Sequence, residues 1–281
     1  MQYCKYFLFL SLVFLWSCSK DADLIPIENL ESKTLLDVSY GNDADQVFDI
    51  YLPADRTFDT KVMLLVHGGG WKEGDKEDLV GFKDYVIEQF PDLALVNLNY
   101  RLADDNNPPL PMQINDITTI IDHLKDNQQE YQLGSELGFL GASAGAHLSL
   151  LWSYAHDKDK QVKMVCSIVG PTNLADDAYV NSSNQVLTDL FAPFGETIEE
   201  LKDASPLFKV KSSSPPTILF YGAKDPLVPN SQGTDLNNRL AELNVDHEFT
   251  LYPNAGHGWT GEDLFDTAIK LKAFVEKHLL N

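Results

Sequence analysis

The stretch Gly141-Ala142-Ser143-Ala144-Gly145 constrains this chain more than any other. It matches G-x-S-x-G, the sharp turn that lifts a serine off the end of a strand and onto the start of a helix. Its flanks fit that use. Glu136 to Leu140 reads as a short buried strand and Ala146 to His156 as a helix. Gly141 and Gly145 belong there because such a turn crowds the backbone and admits only small residues. A five-residue pattern is weak alone, so its weight depends on its surroundings.

Those surroundings alternate between strands and helices. Leu36 to Tyr40 and Gln46 to Tyr51 read as early strands, with further β-rich runs at Val62–Val66, Leu93–Leu98, Val162–Val169, Thr217–Tyr221 and His247–Tyr252. Helical periodicity marks Lys76–Gln89, Met112–Asn127, Ala144–His156, Gln232–Leu243 and Glu262–His278. Such alternation predicts an α/β class, with a mostly parallel central sheet covered by helices on both faces. Pro171 to about Ser214 breaks the rhythm. It reads as a small cap insertion near the carboxyl end of the sheet, able to form one wall of a substrate pocket. The chain's 281 residues suffice for one large domain with a sizeable core.

Loops at the carboxyl ends of strands hold the active site in open α/β sheets, and each reactive candidate falls at such an end. Ser143 is the candidate nucleophile. A serine hydroxyl needs an adjacent base, and this fold orders its triad serine, acid, histidine. Of seven histidines, His257 sits in a loop straight after the last strand. His123, His156 and His278 lie in helices and read as surface residues. His247 opens a strand, and His147, one turn into the nucleophile helix, suits packing or hydrogen bonding better than catalysis. Asp225, after a strand and before Pro226, is the candidate acid, although an aspartate there also suits a simple turn cap. His67-Gly68-Gly69-Gly70-Trp71 follows the strand at 62–66. Backbone N–H groups of Gly69 and Gly70, or of Trp71 if the register shifts by one, would face an oxyanion together with that of Ala144. A phosphate loop is disfavoured, since G-x-x-x-x-G-K-[ST] is absent. Trp71 and Trp259 flank the site and are candidate substrate-binding walls, or packing residues.

Charge and cysteines bound the partners. The chain has 42 acidic and 21 basic side chains, a net charge of −21. That excludes nucleic acid and anionic membrane surfaces, and the scattered acids read as a solvated face. No metal-loop spacing appears, and neither metal nor organic cofactor is expected. Lys5 and the apolar run Tyr6–Trp16 read as a signal peptide, residues 1–17. Leu15-Trp16-Ser17-Cys18 resembles a bacterial lipobox, which makes Cys18 a lipidation site and 18–33 a polar tether ahead of a catalytic domain at 34–281. The expected location is the outer membrane of a bacterium, with membrane contact only through the lipid. Cys166, in an apolar strand, reads as a small core residue.

Taken together, Gln46–Pro53, HGGGW at 67–71 with Gly74-Asp75-Lys76, Asn99-Tyr100-Arg101-Leu102, GASAG, the Asp225 turn and the His257 loop resemble an α/β-hydrolase of the hormone-sensitive-lipase-like carboxylesterase group. The resemblance is nearest the bacterial branch with feruloyl and acetyl-xylan esterases and kynurenine formamidases, and covers roughly residues 35–278. One departure is Ala142, where many members carry Asp. The resemblance implies a Ser143–His257–Asp225 triad acting on short or aromatic acyl esters, including those on hemicellulose. Asp49, Tyr100, Arg101 and Asp116 fall in family-like stretches and read as structural. Two alternatives stay open: an arylformamidase or peptidase with the same triad, and a non-catalytic surface glycan-binding lipoprotein. The signal peptide weighs against the formamidase, and the length leaves no room for a peptidase's second domain.

Overall fold

The computed structural model describes residues 30–281. The expected signal peptide and Cys18 lie outside the described residues. In chain order the elements are β1 (Lys33–Ser39), β2 (Val47–Leu52), β3 (Val62–Val66), α1 (Val80–Gln89), β4 (Ala94–Leu98), α2 (Pro109–Asp126), α3 (Gln128–Tyr131), β5 (Leu137–Ala142), α4 (Ala144–Ala155), β6 (Val162–Ile168), α5 (Asp177–Val180), α6 (Gln185–Phe191), α7 (Ile198–Asp203), β7 (Thr217–Gly222), α8 (Asn230–Glu242), β8 (His247–Tyr252) and α9 (Glu262–His278). The expected tether end moves slightly: Lys33 already pairs with Leu52 at the start of β1.

The strands form one sheet in the order β1-β2-β4-β3-β5-β6-β7-β8. Only β2 runs against the others; the ladders from β4 to β8 are all parallel. Parallel strands need crossover helices, and those helices cover both faces, so the central strands read as unbroken apolar runs. In β3 every residue is buried, and side chains alternate between two cores. Val62, Leu64 and Val66 face a core completed by Ile114, Ile117 and Ile121 of α2, Leu148 and Leu151 of α4 and Leu236 and Leu240 of α8. Met63 and Leu65 face the other core, completed by Val86 of α1 and Leu271, Phe274 and Val275 of α9. Each fully buried leucine contributes roughly 2 kcal/mol, so this two-sided burial fixes the strand register that aligns the carboxyl ends. Cys166 sits in the second core, with no disulfide partner among the described residues; burial pushes its thiol pKa up.

The stretch at 171–214 folds as short helices rather than strands. α5, α6 and α7 each begin at a side-chain cap, from Asp176, Asn184 and Thr197 respectively. Two expected surface histidines are half-buried instead: His123 meets the Tyr131 hydroxyl at 3.2 Å, and His278 packs on Phe274. No helix among the described residues is long and apolar enough to cross a membrane.

Candidate active site

Ser143 occupies the tip of the turn between β5 and α4. Its backbone lies at φ 52°, ψ −119°, a region that an L-residue adopts only when its surroundings impose it. Those surroundings are specific. The Ser143 N–H donates to the Ile168 carbonyl at 2.8 Å, and its carbonyl accepts from the His147 N–H at 3.1 Å. A Cβ at Gly141 would collide with the Gly145 carbonyl, and one at Gly145 with the carbonyls of Val66 and His67. Both glycines are therefore demanded by close backbone approach.

Asp225 leaves β7 and His257 leaves β8, which brings both to the same sheet end as Ser143. His257 Nε2 lies 2.9 Å from Ser143 Oγ, and His257 Nδ1 lies 2.6 Å from Asp225 Oδ2. The other Asp225 oxygen accepts the backbone N–H groups of Leu227 at 2.8 Å and Val228 at 3.0 Å. The Asp225 side chain is 1% exposed. A buried carboxylate only accepts, so Nδ1 of His257 carries the proton and Nε2 presents its lone pair to the serine hydroxyl. This tautomer is assigned from the partners.

The glycine loop after β3 faces the same point. Gly69, Gly70 and Trp71 have φ of 110°, 57° and 64°, and the Gly69 carbonyl closes the turn by accepting from Lys72 and Glu73 N–H groups at 3.2 and 2.9 Å. No backbone carbonyl among the described residues accepts from the N–H of Gly69, Gly70 or Ala144. Open donors in a left-handed loop and at the first turn of a helix suit an anion. Tyr100 buttresses the loop: its hydroxyl donates to the His67 carbonyl at 2.9 Å, and its ring stacks on His67 at 4.3 Å. Burial lowers the His67 pKa, keeping the ring neutral.

A cavity of about 360 Å³ opens beside Ser143 and His257, lined by Gly69, Gly70, Pro171, Val186, Leu190, Phe191, Leu227 and Val228. The insertion thus supplies one wall, through α6. Leu190 sits directly over the glycine loop: its Cδ1 would lie 2.8 Å from a Cβ placed on Gly70. A larger apolar groove of about 640 Å³ runs between α1 and α9, but none of the reactive side chains lines it.

The two tryptophans expected as substrate walls are placed differently, Trp71 in the cavity lining and Trp259 outside it. Trp71 borders the cavity, yet it is 1% exposed and its ring is wedged against Phe194, His147 and Phe191 at 4.7, 5.2 and 5.7 Å. Its apolar bulk is used in packing, leaving no open face for a sugar. Trp259 does not reach the cavity. Its indole N–H donates to Thr267 Oγ1 at 2.8 Å and its ring leans on Tyr252, pinning the His257 loop to α9. The structural residues behave as read. Lys76 Nζ meets Asp49 at 2.5 Å, and Arg101 chelates the fully buried Asp116 at 2.6 to 3.1 Å. Sequence reasoning missed the cap residues Leu190 and Phe191, which follow no motif. It also missed what His147 does with its ring. Among the described residues no three His, Cys, Asp or Glu side chains are grouped to hold a metal ion.

The sheet, the strained serine turn and the aligned serine, histidine and aspartate define an α/β-hydrolase. The chain belongs to the BD-FAE family, whose model matches residues 48–240. It is 27% identical over 257 residues to Esterase LipC of Mycobacterium tuberculosis, covering 82% of this chain and 60% of that protein. It is 30% identical over 122 residues to the kynurenine formamidase of Danio rerio, covering 43% of this chain and 39% of that protein. This chain spans at most about three fifths of the length of these relatives. Among solved structures, a truncated carbohydrate esterase from gut microbiota superposes with a TM-score of 0.73 at 19% identity, covering 89% of this chain and 99% of that one. At that identity the likeness is one of fold. The family and fold read from the sequence are borne out.

Proposed function

We propose that this chain is a serine carboxylesterase for short or aromatic acyl esters, with acetyl or feruloyl groups on hemicellulose as its natural class. The observation that carries this reading is the hydrogen-bonded line from Ser143 through His257 to Asp225, facing a largely apolar cavity beside open backbone donors. In this mechanism His257 Nε2 takes the hydroxyl proton as Ser143 Oγ attacks the ester carbonyl. Asp225 stabilises the imidazolium that forms. The carbonyl oxygen becomes an oxyanion and accepts from Ala144, Gly69 and Gly70; one such donor typically lowers the barrier by about 3 kcal/mol. His257 then returns the proton to the departing alcohol oxygen. Water, deprotonated by the same imidazole, attacks the acyl-enzyme and releases the acid.

Cavity size and lining favour the acyl half named. About 360 Å³ walled by Val186, Leu190, Phe191, Leu227 and Val228 suits an acetyl or a flat aromatic acyl group. A polymer-borne substrate fits an exported lipoprotein held at the cell surface through Cys18, which is part of the same proposal. The likeness in fold to the carbohydrate esterase from gut microbiota supports the same reading. A second reading, cleavage of a formyl anilide, is favoured by partial matches to kynurenine formamidases such as that of Danio rerio. Turnover of p-nitrophenyl acetate, butyrate and octanoate, methyl ferulate, acetylated xylan and N-formylkynurenine distinguishes the two. The esterase reading expects acetyl or feruloyl esters to lead; a formyl anilide cleaved much faster than every ester would sink it.

A further inference from the structure

His147 is a buried histidine that the ester mechanism does not use, and its partners are unusual. It is 0% exposed. Its Nδ1 accepts from the Trp71 indole N–H at 3.1 Å, and its Nε2–H donates to the Ala204 carbonyl at 2.8 Å. An indole N–H only donates and a carbonyl only accepts, so the two partners fix one neutral tautomer. Those partners come from separate parts of the fold. Trp71 ends the glycine loop, Ala204 ends α7 in the insertion, and His147 lies one turn after Ser143, whose carbonyl receives the His147 N–H.

Trp71 needs holding. It follows Gly70 in the left-handed region, with φ 64°, where a bulky residue is strained. Its carbonyl is clamped by Ala103 N at 2.8 Å and Gln113 Nε2 at 2.7 Å. Its indole is clamped by His147. The residue that follows Gly69 and Gly70 is thus anchored at both its carbonyl and its ring.

We propose that His147 is a positioning residue for the oxyanion loop: through Trp71 it registers the backbone donors of Gly69 and Gly70 against Ser143, with the insertion holding its tautomer through Ala204. This rests on the esterase reading, and its test separates the two. The test compares kcat and KM for p-nitrophenyl acetate, the rate of Ser143 labelling by a fluorophosphonate, and thermal melting, in four single variants and one double variant. His147→Phe keeps a ring and loses both bonds. His147→Asn places an amide oxygen near the Nδ1 position and restores an acceptor for Trp71. His147→Gln reaches towards Ala204 and leaves the indole unpartnered. Trp71→Phe removes the donor itself.

A displaced catalytic group can cost up to about 100-fold. His147→Phe and Trp71→Phe are expected to lose roughly 30-fold in kcat and in labelling rate, with KM within threefold. The Phe/Phe double variant is expected to lose no more than either single one, since both remove the same Trp71–His147 contact. His147→Asn should recover to within about threefold of wild type while His147→Gln stays low. Full kcat in His147→Phe, or additive losses in the double variant, would overturn the proposal. So would a His147→Asn as impaired as His147→Phe at equal stability. If His147→Phe does not fold, Trp71→Phe and the Asn and Gln pair decide alone. Failure of the esterase reading looks different: the wild-type protein would then turn over no ester, or would cleave a formyl anilide much faster than every ester, whatever stands at position 147.

Discussion

Replacing Asp225 with asparagine tests the triad by one atom. The structure dictates how the new amide must sit. One carboxylate oxygen of Asp225 already accepts from two backbone N–H groups, Leu227 at 2.8 Å and Val228 at 3.0 Å. In Asp225→Asn both bonds survive only if the amide oxygen stays there. Turning the amide round would set its NH2 against two donors in a pocket where the side chain is 1% exposed, at about 1–3 kcal/mol for each bond lost. The NH2 therefore faces His257 Nδ1, 2.6 Å away in the native pair. A donor there pushes the imidazole into the opposite tautomer, with the proton on Nε2. That nitrogen then donates towards Ser143 Oγ and cannot take its proton. The expected loss is about 10⁴-fold in kcat, as for the equivalent change in a serine protease triad, with KM little changed and melting within a few degrees. The assay is steady-state ester hydrolysis across pH 6–9 beside a thermal melt. A folded Asp225→Asn protein within tenfold of wild-type kcat would refute the tautomer argument.

Three other outcomes follow from the same geometry. Leu190→Ala removes the side chain over Gly70, and the kcat/KM ratio of butyrate to acetate esters should rise about tenfold, since one methylene in an apolar pocket is worth about 1–3 kcal/mol; an unchanged ratio would place the acyl chain elsewhere. Burial lowers the His147 pKa from the ordinary 6.5 to about 4, the Ala204 hydrogen bond opposing this in part. The unfolded chain then binds the proton first, so stability present above pH 6.5 is lost as pH falls to about 4, by roughly 3 kcal/mol. Urea melts should show this slope in wild type and a shallower one in His147→Phe. Arg101→Met leaves the buried Asp116 carboxylate with only the Gln46 amide and a backbone N–H; an unfolding cost of about 3 kcal/mol, or a Tm lower by roughly 8 °C, is expected by calorimetry, and an unchanged Tm would contradict it.

The sheet was legible because buried parallel strands leave unmistakable apolar runs. Val62–Val66 and Leu93–Leu98 were bounded to within a residue of β3 and β4. The placement of the candidate site residues was legible for a related reason: loops that must turn sharply or present N–H groups need glycine, and the residues between those glycines are few. Gly145, with Val66 and His67 carbonyls where its Cβ would be, is such a case. The insertion was not legible. α5, α6 and α7 are four to seven residues long, too short to show a helical period, and the Trp71 ring against which Phe191 packs comes from distant chain. The tryptophans misled for the same reason. Sequence placed them beside the site, but which face of an indole is covered depends on Phe191 and Phe194 for one and on α9 for the other. His147 stood one turn from the nucleophile in plain view, and only the fold supplied its partners, 76 and 57 residues away.

The most direct test of the account is to catch the acyl-enzyme. Rapid acid quench of the protein during p-nitrophenyl acetate turnover, followed by peptide mass spectrometry, reads where the acetyl group resides. Acetylation of Ser143 on the peptide spanning β5 and α4, rising within the first turnover and absent from Ser143→Ala, is the predicted result. An acetyl group on another residue, or steady turnover in the Ser143→Ala protein, would contradict the central claim that Ser143 is the nucleophile.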